Sequence, residues 1–209
     1  MDPDRRPDDT AGRVSDDKTA KAGLRRELLD MRKGLTADDV QVAAAALSER
    51  ALALPALNTP GAVVAAYVSV GREPGTRVLL DALRERGVRV LLPVLLADND
   101  LDWAAYEGAD RLSPASRGLL EPDGERLGPE AVTRADAVLL PGLAVDGRGM
   151  RLGRGGGSYD RVLARLERAG AHPRLVVLLY ENEVVARVPA EPHDHPVHAV
   201  VTPAGVRTF

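Results

Sequence analysis

The sequence predicts an α/β fold, with residues 19–209 forming a single three-layer domain in which a mostly parallel central sheet is flanked by helices. Three observations predict it. From residue 62 onward, short apolar runs of the buried-strand type alternate with amphipathic helical stretches. The chain of 209 residues is 44% hydrophobic, enough for one full core built mostly of Leu, Val and Ala. No internal repeat or linker divides it.

Residues 1–18 hold six acidic and four basic side chains and only two large apolar ones, Met1 and Val14, a composition that predicts a disordered tail. From Lys18 the pattern becomes helical, with Leu24, Leu28, Met31 and Leu35 forming one apolar stripe. Thr36 and Asp39 have the spacing of an N-cap and its reciprocal partner, and the helix they open runs to about Leu54 before Pro55. Residues 62–68 (AVVAAYV) read as a buried strand, 75–86 as an amphipathic helix stopped by Gly87, and 88–95 as another strand. Residues 101–106 suit an edge strand. Residues 107–130, rich in Gly and Pro, form a long irregular connection of the kind that usually carries function. A strand over 135–145, a glycine loop over 148–157, a helix over 158–170 and strands over 174–180 and 198–203 complete the order.

Composition excludes several classes of chemistry. Without cysteine there are no disulfides, no thiolate nucleophile and no cysteine-ligated metal. No apolar stretch approaches the ~20 residues of a membrane span, and no segment resembles a secretory signal, so a cytoplasmic protein is expected. A net charge of −3 gives no electrostatic reason to expect nucleic acid.

The strongest local signal is the run Arg151-Leu-Gly-Arg-Gly-Gly-Gly-Ser-Tyr-Asp160 between a strand and a helix. Gly153, Gly155, Gly156 and Gly157 allow the main chain close to a ligand, and the following helix start offers unpaired N–H donors, a combination suited to phosphate. It is neither a Walker A loop, since no Lys precedes Ser158, nor a dinucleotide fingerprint, since Ser158 stands where the third Gly belongs. The bland alternative is a flexible connector; Arg151 and Arg154 weigh against it, because guanidinium groups clamp phosphate oxygens. Asp160 in the first helical turn suits either the helix dipole or a nucleotide-borne Mg²⁺. Lys21, Arg25 and Arg32 lie on one flank of the first helix, which taken alone reads as a solvated face. His193, His195 and His198 crowd a proline-bounded loop, poor geometry for a transition metal.

With these residues in view, the chain resembles the 5-formyltetrahydrofolate cyclo-ligase family over about residues 18–203. The run LLPGLAVDGRGMRLG ahead of the glycines resembles that family's signature. So do Lys21-x-x-Leu24-Arg25 with Arg32, Tyr67-Val-Ser-x-x-x-Glu73-x-x-Thr76, Gly118-Leu-Leu-Glu121-Pro122, and His193-Asp194 followed by Val200-Val-Thr202.

The resemblance implies ATP-dependent closure of 5-formyltetrahydrofolate to 5,10-methenyltetrahydrofolate by a single-domain α/β enzyme, acting as a monomer. It implies that Lys21 and Arg25 contact ATP phosphates together with the loop Arg151, Leu152, Gly153, Arg154, Gly155, Gly156, Gly157, Ser158 and Tyr159, with Lys21, Arg151 and Arg154 as the catalytic cations. Val68, Glu73 and the Gly155–Gly157 backbone would contact the folate, and Asp160 and Asp194 would hold Mg²⁺. A carboxylate such as Glu73 suits the donor-rich edge of a pterin. Two positions depart from the family pattern: Ser158 replaces a frequent Tyr, and Arg154 stands where Tyr is common. They imply altered affinity, and they motivate a competing reading as a non-catalytic nucleotide- or folate-binding paralogue. A phosphosugar- or CoA-handling enzyme rests on fold analogy alone.

Overall fold

The computed structural model describes residues 9–191 and 194–209, with side chains from Asp17 onward. Helix α1 (Asp9–Lys33) leads to α2 (Ala37–Leu52), β1 (Val63–Ala65), α3 (Arg77–Glu85), β2 (Arg89–Leu95) and β3 (Leu101–Ala105). Then come β4 (Leu112–Pro114), β5 (Leu120–Pro122), β6 (Ala137–Leu140), β7 (Ala144–Val145), β8 (Arg151–Leu152), α4 (Ser158–Ala169), β9 (Arg174–Leu178), β10 (Ala199–Thr202) and β11 (Gly205–Thr208). Among the described residues, no helix is long and apolar enough to cross a membrane.

Seven strands form one sheet in the order β11-β10-β9-β6-β1-β2-β3. The five inner strands are parallel, and β3 and β11 close the two edges antiparallel. Both faces are covered, as parallel sheets require. Alternation along the strands sends Val64, Leu139 and Leu178 to the face packed by α2 and α3. It sends Ala65, Leu140 and Val177 to the face packed by α4. The expected three-layer fold is therefore the observed one. The chain leaves β1 toward β2 on one side and returns as β6 on the other. This reversal opens a crevice beyond the carboxyl ends of β1 and β6, where open α/β sheets bind ligands.

The capping box at α2 forms as the spacing predicts: Asp39 N–H donates to Thr36 Oγ1 at 3.1 Å, and Thr36 N–H donates back to Asp39 Oδ2 at 2.8 Å. Such a cap contributes about 1 kcal/mol.

Three expectations are corrected. Residues 9–18 are helical rather than a disordered tail, while residues 1–8 lie outside the described residues. A helix already nucleated over its packed turns extends at one hydrogen bond per residue without needing an apolar face. The strand expected over 135–145 breaks at Pro141–Gly142, and Ala144–Val145 instead pairs antiparallel with Arg151–Leu152, so the glycine loop begins only after a short hairpin. Asp146, fully buried, ties the hairpin turn by accepting the N–H groups of Arg148, Met150 and Val188. Finally, Gly205–Thr208 adds an edge strand absent from the sequence reading. A third apolar cluster, Leu28 with Leu143, Ala144, Leu152 and Val188, seats α1 on this hairpin and brings its cations to the glycine loop.

Candidate active site

Two hollows meet at the glycine loop. The larger, about 420 Å³, lies beyond the ends of β1 and β6 and is lined by Tyr67, Val68, Glu73, Pro141, Tyr159 and the loop. The smaller, about 210 Å³, is polar and brings together Lys21, Arg25, Arg151, Asp160, Glu191 and Asp194. Arg151, Gly153, Gly155, Gly157 and Asp160 line both. The loop is thus a partition one main chain thick.

Local sequence explains its shape. Gly155 and Gly157 have φ of +90° and +78°, a left-handed conformation that side chains disfavour. Gly157 is also the N-cap of α4 and offers no side chain to cap it, so the first N–H groups of this 12-residue helix stay available toward the partition. Gly156 differs in having no positive φ, and a Cβ there would meet nothing within 4 Å.

On the polar side, Lys21 Nζ is 2.7 Å from Asp194 Oδ2 and 3.1 Å from Glu191 Oε2, and Asp194 Oδ2 also accepts the Glu191 N–H at 2.8 Å. Burial alone would push the Lys21 pKa down, but hydrogen bonding and charge from Asp194 and Glu191 more than offset it, and the pKa is raised. The ammonium stays charged at every physiological pH. Arg25 Nε donates to Gly153 O at 2.9 Å, tying α1 to the loop. Arg151 Nη1 donates to Pro141 O at 2.9 Å and its Nη2 lies 3.6 Å from Asp160 Oδ1. Burial pushes its pKa down, opposed by Asp160 and Tyr159.

Three buried side-chain atoms among the described residues have no hydrogen-bond partner: Trp103 Nε1, Arg151 Nε and Tyr159 OH. Two of the three belong to residues of this site, where a ligand would satisfy them at no cost to the core. Burial holds the Tyr159 phenol well above its ordinary pKa, so it remains a neutral hydroxyl.

The sequence-predicted residues therefore separate into two sets. Lys21, Arg25, Arg151, Asp160 and Asp194 converge on the polar hollow, with buried Leu152 anchoring the loop beside them. Val68, Glu73, Gly156, Ser158 and Tyr159 face the larger cavity. Arg154, expected with the nucleotide cations, lies on that side too: its Nη1 is 2.9 Å from Glu73 Oε1. Glu73 Oε2 meanwhile accepts the Val70 N–H. Buried Thr76 pins this segment, donating to Tyr67 O and accepting from Ser69 N–H.

Sequence reasoning missed Glu191, which shares Lys21 with Asp194, and Arg117, which lines the cavity from the irregular 107–130 connection. The Gly-Pro richness of that connection was the available signal for Arg117. His198 accepts a main-chain N–H, His193 lies outside the described residues, and the described residues contain no group of three or more His, Asp or Glu that could hold a metal. Asp160, Glu191 and Asp194 put three carboxylates in one hollow beside three cations, and a divalent ion that arrives on a nucleotide needs only one or two protein ligands.

The family model described as the 5-formyltetrahydrofolate cyclo-ligase family matches residues 17–203. This chain belongs to that family. It is 44% identical to the 5-formyltetrahydrofolate cyclo-ligase of Mycolicibacterium smegmatis over 157 residues, covering 72% of this chain and 78% of that one. It is 30% identical to the Escherichia coli cyclo-ligase, covering 84% and 96%. The 5,10-methenyltetrahydrofolate synthetase of Aquifex aeolicus superposes with a TM-score of 0.76 at 28% identity, covering 90% of this chain and 92% of that one.

Proposed function

We propose that the protein is an ATP-dependent 5-formyltetrahydrofolate cyclo-ligase, and the observation that carries this reading is the glycine loop shared by the two hollows. The triphosphate lies against Lys21, Arg25 and Arg151, and the formyl folate fills the cavity bounded by Val68, Glu73 and Tyr159. The formyl oxygen attacks the γ-phosphorus as the bond to the β-phosphate oxygen breaks, releasing ADP. The 10-nitrogen then adds to the activated carbon, loses its proton, and phosphate departs as the ring closes. An amide oxygen leaves poorly and a phosphate leaves well, which is why ATP is consumed. The protein's part is positioning and charge: cations and main-chain N–H groups fixed in place before the reaction. Asp160 and Asp194 would hold Mg²⁺, which when bound offsets charge on the phosphates. The protein acts as a monomer in this proposal, and its cysteine-free composition suits the cytoplasm.

Incubation of purified protein with 5-formyltetrahydrofolate and MgATP is expected to yield methenyltetrahydrofolate and ADP. Lys21→Ala and Asp160→Ala are each expected to lower kcat/KM for MgATP by roughly 10²–10³-fold, the scale for removing a preorganised charge. Folate binding without turnover would instead favour the non-catalytic paralogue, and wild-type kinetics in both variants would remove the phosphate site.

A further inference from the structure

Arg32 is buried on α1 and lines neither hollow, and the chemistry above does not use it. Its Nε donates to Glu183 Oε1 at 2.6 Å, and its Nη2 donates both to Glu183 Oε2 at 2.9 Å and to Gly142 O at 2.8 Å. Glu183 Oε2 in turn accepts the Tyr180 N–H, and Tyr180 OH donates to Arg72 O in the segment that carries Glu73. The adjacent carbonyl, Pro141 O, is the one that holds Arg151. Two arginines thus hang from consecutive carbonyls at the end of β6, one reaching in from α1 and the other from the partition.

We propose that the Arg32–Glu183 pair is a positioning element that fixes the angle of α1 against the Pro141–Gly142 corner and thereby aligns Lys21 and Arg25 with Arg151. This rests on the function proposed above. A buried ion pair contributes little net stability compared with apolar residues of the same size, so what this one supplies is geometry. The geometry has leverage. Arg25 and Lys21 stand seven and eleven residues before Arg32, about two and three turns away on the same helix face. Lys21 therefore lies about 16 Å along the axis from Arg32, and a tilt of about 4° there moves it by about 1 Å. A misplacement of that size can cost about 10²-fold in rate. The planar fork that meets Glu183 and Gly142 O together is one that a lysine cannot reproduce.

The test uses the full chain with Arg32→Lys, Glu183→Gln and the apolar double variant Arg32→Met/Glu183→Leu. Each is assayed by circular dichroism melting, by calorimetric binding of a non-hydrolysable ATP analogue with magnesium, and by steady-state kinetics per folded molecule. The expected result is a roughly tenfold weaker nucleotide affinity and a roughly tenfold lower kcat in all three, with the double variant no worse than the worse single one. A strut that only held the fold together would lower the melting temperature and leave affinity and KM untouched; that result, or failure of all three to fold, overturns the assignment. A wild-type chain that binds no nucleotide would sink the proposed function and this inference with it, whereas wild-type binding matched by the variants would sink this inference alone.

Discussion

Nδ1 of His198 accepts the main-chain N–H of Leu175 at 2.9 Å, a role open only to the neutral ring. Burial, helped by Arg174, holds its pKa below the ordinary 6.5. A depressed pKa means that the unfolded chain takes up the proton first, so the stabilisation is complete above pH 6.5 and fades as the pH falls through the lower folded value. Urea midpoints are therefore expected to fall as the pH drops below 6.5, and to fall less steeply in His198→Asn, which keeps an acceptor but does not titrate. Parallel slopes would show that His198 does not carry the effect. Single residues also mark where sequence reading stops. The glycine loop announces itself locally, whereas Lys21 and Arg25 read as a solvated flank until the family resemblance gives them a role. The pairs Arg32–Glu183 and Arg154–Glu73 join residues 151 and 81 positions apart, and only the fold brings them together.

Among the elements, the Pro141–Gly142 corner is the most constrained. A Cβ on Gly142 would come within 2.8 Å of Val177 Cγ2, a fully buried, stiff side chain in the neighbouring strand, and within 3.5 Å of Arg151 Cγ. Gly142→Ala is expected to destabilise the protein by ~1–3 kcal/mol, as overpacking does, read as a lower urea midpoint with an unchanged slope; an unchanged midpoint would contradict the crowding. The inner strands were legible because continuous Val, Leu and Ala runs have few other uses, and α2 because its cap is written into Thr36 and Asp39. β11 was not: Gly205–Thr208 has one large apolar residue, Val206, and its strand character comes from pairing with β10. The β7–β8 hairpin was hidden for a similar reason. Its strands are two residues each, and the turn depends on a buried Asp146 whose partners lie as far away as Val188.

Taken as a whole, the molecule places two hollows on opposite sides of one strip of backbone, so with the ligands proposed above, ordering that strip for the first is ordering not repeated for the second. Each ligand alone is expected to raise the melting temperature, by the equivalent of about 2.7 kcal/mol at a hundredfold excess over its Kd. A non-hydrolysable ATP analogue with magnesium, added together with 5-formyltetrahydrofolate, is expected to raise it by more than the sum of the separate shifts. Strict additivity in thermal-shift measurements would mean that the partition does not couple its two sides. The same strip separates durability from usefulness at one residue. Nothing in the protein's own packing occupies the volume beside Gly156, and its φ is one that alanine adopts freely. A methyl group there would intrude only on guests. Damage of that kind would pass every heat or denaturant challenge unnoticed and surface only when the enzyme was asked to work.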